Sequence, residues 1–137
     1  MPPEADWVRS WLSKADDDLL AARRLLAEPP VLADIVAFHA QQAVEKLLKA
    51  FLVHREVEFE KVHTIRYLLD LCARLDGDFE SLRDAAESLT RFAVVARYPV
   101  PGSCATEAEA RSAVTVAERV HSFIWSRIPE RFGPPRR

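Results

Sequence analysis

The sequence predicts an all-α protein, a five-helix antiparallel bundle of the up-and-down type, and three observations carry that expectation. Of 137 residues, 49% are hydrophobic and only 3 are Gly, while Ala, Leu, Glu and Arg crowd the stretches between prolines. Apolar residues recur at three- and four-residue steps, the period of a helix with one buried face. The connections between these periodic stretches are short, which makes consecutive helices antiparallel neighbours.

The first helix is expected from Trp7 to Ala27. Val8, Trp11, Leu12, Ala15, Leu19, Ala22 and Leu26 form its apolar stripe, Asp16, Asp17, Arg23 and Arg24 lie largely on the wet side, and Pro29-Pro30 stops it. The second runs from Val31 to His54 with Val36, Ala40, Ala43, Val44, Leu47, Ala50 and Phe51 on one side, its alanines permitting close packing. Thr64 can cap a third, with Leu68, Leu69, Cys72 and Leu75 inside and Gly77 as the residue just past its end. A fourth begins at Asp78 and carries Phe79, Leu82, Ala85, Ala86, Leu89 and Phe92. The stretch from Arg97 to Gly102 holds two prolines, cannot continue a helix and must be a structured loop. Thr106 with Glu109 reads as a capping box for the fifth helix, which ends before Pro129.

This length suits one core, so residues 1–128 are expected to form a single domain and 129–137 a flexible basic tail. The net charge of −2 pulls nothing globally onto a polyanion, and any nucleic-acid contact must come from a local basic site. Cys72 and Cys104 lack disulfide or metal-ligand spacing, and Cys72 falls on an apolar stripe. Neither a signal segment nor a membrane span is visible, so a cytoplasmic protein is expected.

On a helical wheel of roughly 100° per residue, Phe38, Gln41, Gln42, Glu45, Lys46 and Lys49 fall opposite the apolar stripe of the second helix. Two readings stay open. The face is either solvated, with one exposed Phe and a Glu45–Lys49 pair, or it is a groove in which Phe38 supplies buried area and the amides and lysines supply donors for a partner or a phosphate. No phosphate loop, carboxylate pair or metal cluster stands out, and neither a metal nor a cofactor is expected. Of the four histidines, His39, His54, His63 and His121, the third is singled out, because it precedes a helix start where backbone N–H groups attract anions. Arg97 beside Tyr98 sits in a proline-stiffened loop. It either clamps a phosphate bidentately or pairs with a nearby acid while Tyr98 packs on the bundle end.

The run from Phe38 to Ala50, FHAQQAVEKLLKA, resembles the signature helix of HEPN domains, specifically the subgroup encoded beside minimal nucleotidyltransferases. Lys61-Val62-His63-Thr64 ahead of Leu68-Leu69, and Ala96-Arg97-Tyr98-Pro99 ahead of the last helix, agree with it in order and spacing. The resemblance implies a bundle that forms a homodimer, often with a nucleotidyltransferase partner in a toxin–antitoxin arrangement. Many members are metal-independent ribonucleases that carry an Arg followed about four to six residues later by a His, the pairs meeting at the dimer cleft to move protons and support the phosphate. Arg97 matches that arginine, but Pro101, Gly102 and Ser103 stand where the His belongs, and Ser103 has no pKa near neutrality. The tyrosine that receives nucleotide groups in some relatives is also missing from its place.

The expectation is therefore a nucleotide- or RNA-associated subunit that has kept the arginine and lost the base. Its phosphate-binding candidates are Arg97, His63, Lys46, Lys49 and Gln42, and its interface candidates Phe38, Gln41, Glu45 and Tyr98. The alternatives are a ribonuclease toxin in which Arg97 works with His63 or His39, and a structural dimer adaptor using Phe38, Gln42 and Lys46.

Overall fold

The computed structural model describes residues 4–61, 64–129 and 132, all of whose regular structure is helical. Helix α1 (Glu4–Ala27) starts one turn earlier than the apolar pattern suggests. Glu4 and Asp6 at its positive end and Arg24 in its last turn complement its dipole. Helix α2 (Ala33–His54) is the hub, packed by α1, by α3 (Ile65–Leu75), by α5 (Phe92–Val95) and by α6 (Glu107–Arg127). Ala37, Ala40, Ala43 and Ala50 are completely buried, and their small side chains let neighbouring backbones approach α2 closely.

The all-α bundle holds, and the expected fourth helix is present in pieces: a 3₁₀ segment (Gly77–Leu82), then α4 (Arg83–Glu87), then α5. Between α4 and α5 the chain tightens to three-residue steps, with Leu89 N–H donating to Ala86 O at 3.1 Å, Thr90 N–H to Glu87 O at 3.1 Å and Phe92 N–H to Leu89 O at 3.0 Å. Phe79, Leu82, Ala86, Leu89 and Phe92 still face the core, so the apolar spacing survives the change of helix type. Gly77 stands just past the end of α3, as the sequence suggests, without a left-handed φ. Asp76 ends α3 in an extended conformation, and its carboxylate accepts from Asp78 N–H at 3.0 Å to start the 3₁₀ segment. Thr64 does stand at the N-cap of α3, without a side-chain capping bond.

Phe79 meets Phe51 with tilted rings and Phe123 edge to face, with ring centroids 4.7 and 4.8 Å apart. On the surface, Arg83 reaches Asp70, Glu80 and Glu87 at 2.9, 2.7 and 2.9 Å and ties α3, the 3₁₀ segment and α4 together. The capping box of α6 is complete: Glu109 N–H donates to Thr106 Oγ1 at 3.0 Å and Thr106 N–H donates to Glu109 Oε1 at 2.9 Å. Of the expected tail, residues 130–131 and 133–137 lie outside the described residues, while Phe132 is buried edge-on against His54. Among the described residues no helix is long and apolar enough to cross a membrane.

Candidate functional site

The loop from 96 to 106 is shaped by its prolines and its one glycine. Arg97 and Tyr98 both donate their N–H groups to Val94 O, at 3.0 and 3.1 Å, so α5 hands directly over to them. Ser103 N–H then donates to Val100 O at 3.2 Å across Pro101 and Gly102, whose φ of +77° is the left-handed value a type II turn requires at that position. Ala105 N–H donates to Asp34 Oδ1 at 2.5 Å, which pins the far end of the loop to the first turn of α2.

These anchors enclose an open pocket of about 500 Å³ lined by Asp34, Arg97, Tyr98, Pro99, Pro101 and Cys104 among others. The Arg97 guanidinium lies over the Phe38 ring, with Cζ 5.3 Å from the ring centroid. Among the described residues no carboxylate pairs with Arg97, and Tyr98, 61% exposed, projects from the loop and does not pack on the bundle end. Val94 in α5, Val100 on the loop, and Leu32 and Ile35 at the start of α2 are exposed as well.

The rest of the polar face of α2 is turned elsewhere. It is not solvated: Gln41, Glu45 and Lys49 are buried, Phe38, His39, Gln42 and Lys46 are half-buried, and α1 meets it through Trp11 and Asp18. Gln41 and Gln42 each donate to Glu45 Oε2 at 2.8 Å, and Gln42 donates also to Gln41 Oε1 at 2.8 Å. The Lys49 ammonium sits 5.1 Å from the centroid of the Trp11 ring of α1. Burial holds its pKa below the ordinary lysine value, against the attraction of Glu45 and with the repulsion of Lys46. Asp18 of α1 pairs with Lys46 and, at 2.9 Å, with Nδ1 of His39. Helix periodicity marks this face as polar, but only the position of α1 shows that Asp18 and Trp11 answer it.

The structure thus brings Arg97, Phe38 and Tyr98 together at the 96–106 loop. Lys46 and Lys49 instead meet Asp18 and Trp11 of α1, Gln41, Gln42 and Glu45 bond to one another along α2, and none of the five lines the pocket. His63 lies outside the described residues. Of the other histidines, His39 is held by Asp18, His121 is 2.8 Å from Asp16 through Nε2, and His54 packs on Phe132. No described histidine lines the Arg97 pocket. Sequence reasoning missed Asp34, for which the only signal is an acid in the first turn of a helix, and Cys104, which carries none. Among the described residues no group of His, Cys, Asp and Glu is arranged to hold a metal ion.

The HEPN domain family matches residues 8–128 of the chain. No curated protein matches it. Among solved structures, TT1696 from Thermus thermophilus is 31% identical, with a TM-score of 0.72 over 88% of this chain and 98% of that one. ST0689, an archaeal HEPN homologue, has a TM-score of 0.72 over 89% of this chain and 98% of its own at 24% identity, a likeness that shows the fold.

Proposed function

The chain belongs to the HEPN domain family, and on that premise we propose that it is a homodimeric, nucleotide- or RNA-associated subunit that grips a phosphate with Arg97 and leaves RNA uncut. The observation that carries this reading is the state of Arg97. Its guanidinium has no carboxylate partner among the described residues, rests on an aromatic ring, and lines an open pocket that no described histidine enters. A guanidinium carried on a ring face keeps its N–H edge for a bidentate bond to a phosphate.

Strand cleavage without a metal needs a group that takes and returns protons near neutral pH, a contribution of about 10² to 10⁴ in rate. Arg97 is always charged and cannot supply it. Its neighbours in the pocket are Tyr98, Cys104 and Asp34, and the last already accepts from the Ala105 amide. Binding, positioning and electrostatic support remain, which suits the partner subunit of a nucleotidyltransferase in a toxin–antitoxin-like pair. The exposed Val94, Tyr98 and Val100 give the same region an apolar surface for a second copy.

Fluorescence anisotropy with a labelled single-stranded RNA and with ATP tests the binding. Affinity should fall as salt rises and should collapse in Arg97→Ala; unchanged affinity in that variant removes the proposed anchor. Co-purification with the product of a neighbouring nucleotidyltransferase gene tests the pairing.

One observation favours the ribonuclease alternative. His39 is oriented by Asp18, and its ring meets Phe38 edge-on at 5.7 Å, the same Phe38 that carries Arg97. An imidazole held by a carboxylate within one ring of the arginine is the candidate base in that reading, with toxicity on expression that His39→Ala and Arg97→Ala both remove as its signature.

A further inference from the structure

At the other end of α2 the chain forms a second groove, of about 550 Å³, which the Arg97 site does not use. One wall is α1, where Glu4 and Trp7 stand one turn apart on the same side. The other wall is Val53 in the last turn of α2 and the segment that follows, with Val57 and Phe59 half-buried and Glu56 and Glu58 exposed. The floor is apolar, and its largest component, the Trp7 indole, is 44% exposed.

Two of the acids on the rim, Glu56 and Glu58, stand where the fold has no use for them. Helix α2 ends in a Schellman motif: Val57 N–H donates to Leu52 O at 2.9 Å and Glu56 N–H to Val53 O at 3.0 Å. The residue in the left-handed position is Glu56, with φ of 58°, at a place where glycine is the unstrained choice. A carboxylate just past a helix C-terminus also faces the negative end of the helix dipole, and Glu56 and Glu58 both do. Glu4, by contrast, is an ordinary acid at a helix start. None of the three carboxylates forms an ion pair among the described residues.

We propose that this groove docks a basic peptide segment of a protein partner, with an aliphatic or proline side chain laid on Trp7 and arginine or lysine heads between Glu4, Glu56 and Glu58. Charge complementarity selects the occupant. An apolar partner would leave three carboxylates facing a dry surface, and a polyanion would be repelled. The groove lies at the opposite end of α2 and shares no lining residue with the Arg97 pocket, so this docking is independent of the phosphate grip at Arg97.

The test is an array of synthetic decapeptides of mixed composition probed with the labelled protein, followed by anisotropy titration of the best binder. The variant Glu56→Gly with Glu58→Gln removes two rim charges and relaxes the left-handed residue, so it folds at least as well as the parent. Trp7→Ala removes the apolar platform. A control pair of equal charge change, Glu28→Gln with Asp84→Asn, lies elsewhere on the surface.

The expected result is enrichment for peptides with arginine or lysine beside proline or leucine, and affinity weakened roughly three- to tenfold in the rim variant and again in Trp7→Ala. The control pair and Arg97→Ala should bind as the parent does. Absence of enrichment for basic peptides, or equal loss in the rim variant and the control pair, overturns the proposal, the second outcome showing only general attraction to an acidic protein.

Discussion

The guanidinium of Arg97 and the ring of Phe38 meet across two separate elements, a proline-stiffened loop and the first half of the central helix, at 5.3 Å. The contact turns a flexible side chain into a positioned one. A cation–π contact at an exposed site is worth about 0.5–1 kcal/mol, or roughly two- to fivefold in affinity. Phe38→Leu, which keeps apolar bulk without the ring, should weaken RNA or nucleotide binding by that factor while Phe38→Tyr retains it. Arg97→Lys should lose more than Phe38→Leu, because an ammonium keeps the charge but not the fork of donors. Anisotropy titrations on the four proteins check the order.

Self-association is expected to use the exposed apolar residues around the same loop. Light scattering should give twice the 15.5 kDa of one chain. Tyr98→Asp combined with Val100→Asp, which places charge on residues the fold leaves open, should yield monomers with an unchanged helical circular dichroism spectrum. A parent that is monomeric at micromolar concentration, or a variant that stays dimeric, counts against this face.

How much of this could be read from the sequence differs from element to element. Helices α1, α2, α3 and α6 follow from the apolar period and from two prolines, and the Thr106–Glu109 box is a local signal that the structure reproduces atom by atom. The break between α4 and α5 is not legible, because Phe79, Leu82, Ala86, Leu89 and Phe92 keep a spacing that helical and 3₁₀ steps can both serve. Arg97 stands out by its proline neighbours. Its support by Phe38, the burial of Gln41 and Glu45, and the meeting of Lys46 and Lys49 with α1 depend on how helices pack, and a wheel drawn for one helix carries no information about that.

Two buried groups should give the protein opposite responses to alkali. Burial pushes the Cys72 thiol far above its ordinary value of 9.0, so the unfolded chain loses that proton first and stability falls as pH rises past about 9. The slope from this group is about 1.4 kcal/mol per pH unit. Lys49 is held below 10.5, so the unfolded chain keeps its proton longer, and stability recovers as pH climbs through the folded value towards 10.5. Urea midpoints between pH 8 and about 10.5 should fall less steeply in Cys72→Ala than in the parent and more steeply in Lys49→Met. Parallel curves for all three would contradict the burial of these groups.

The capping box secures the end of the loop that carries Arg97. Thr106→Ala should cost about 1 kcal/mol in urea unfolding, and Thr106→Ser most of that less. Glu109 is also held below the ordinary carboxylate range, first by the Thr106 backbone amide and then by the side-chain bond of Arg91. Its contribution is present above the unfolded carboxylate value and disappears as pH falls through the folded one. The acid limb of the stability curve should therefore flatten in Glu109→Gln.

Incubation of the purified protein with single-stranded and structured RNA in the presence of chelator, with binding and strand length read from the same samples, bears most directly on the role of Arg97. RNA should be retained at full length by the parent protein, and retention should be lost in Arg97→Ala. Robust cleavage by the parent, abolished by Arg97→Ala together with His39→Ala or His63→Ala, would contradict a phosphate-gripping subunit without a base and establish a ribonuclease in its place.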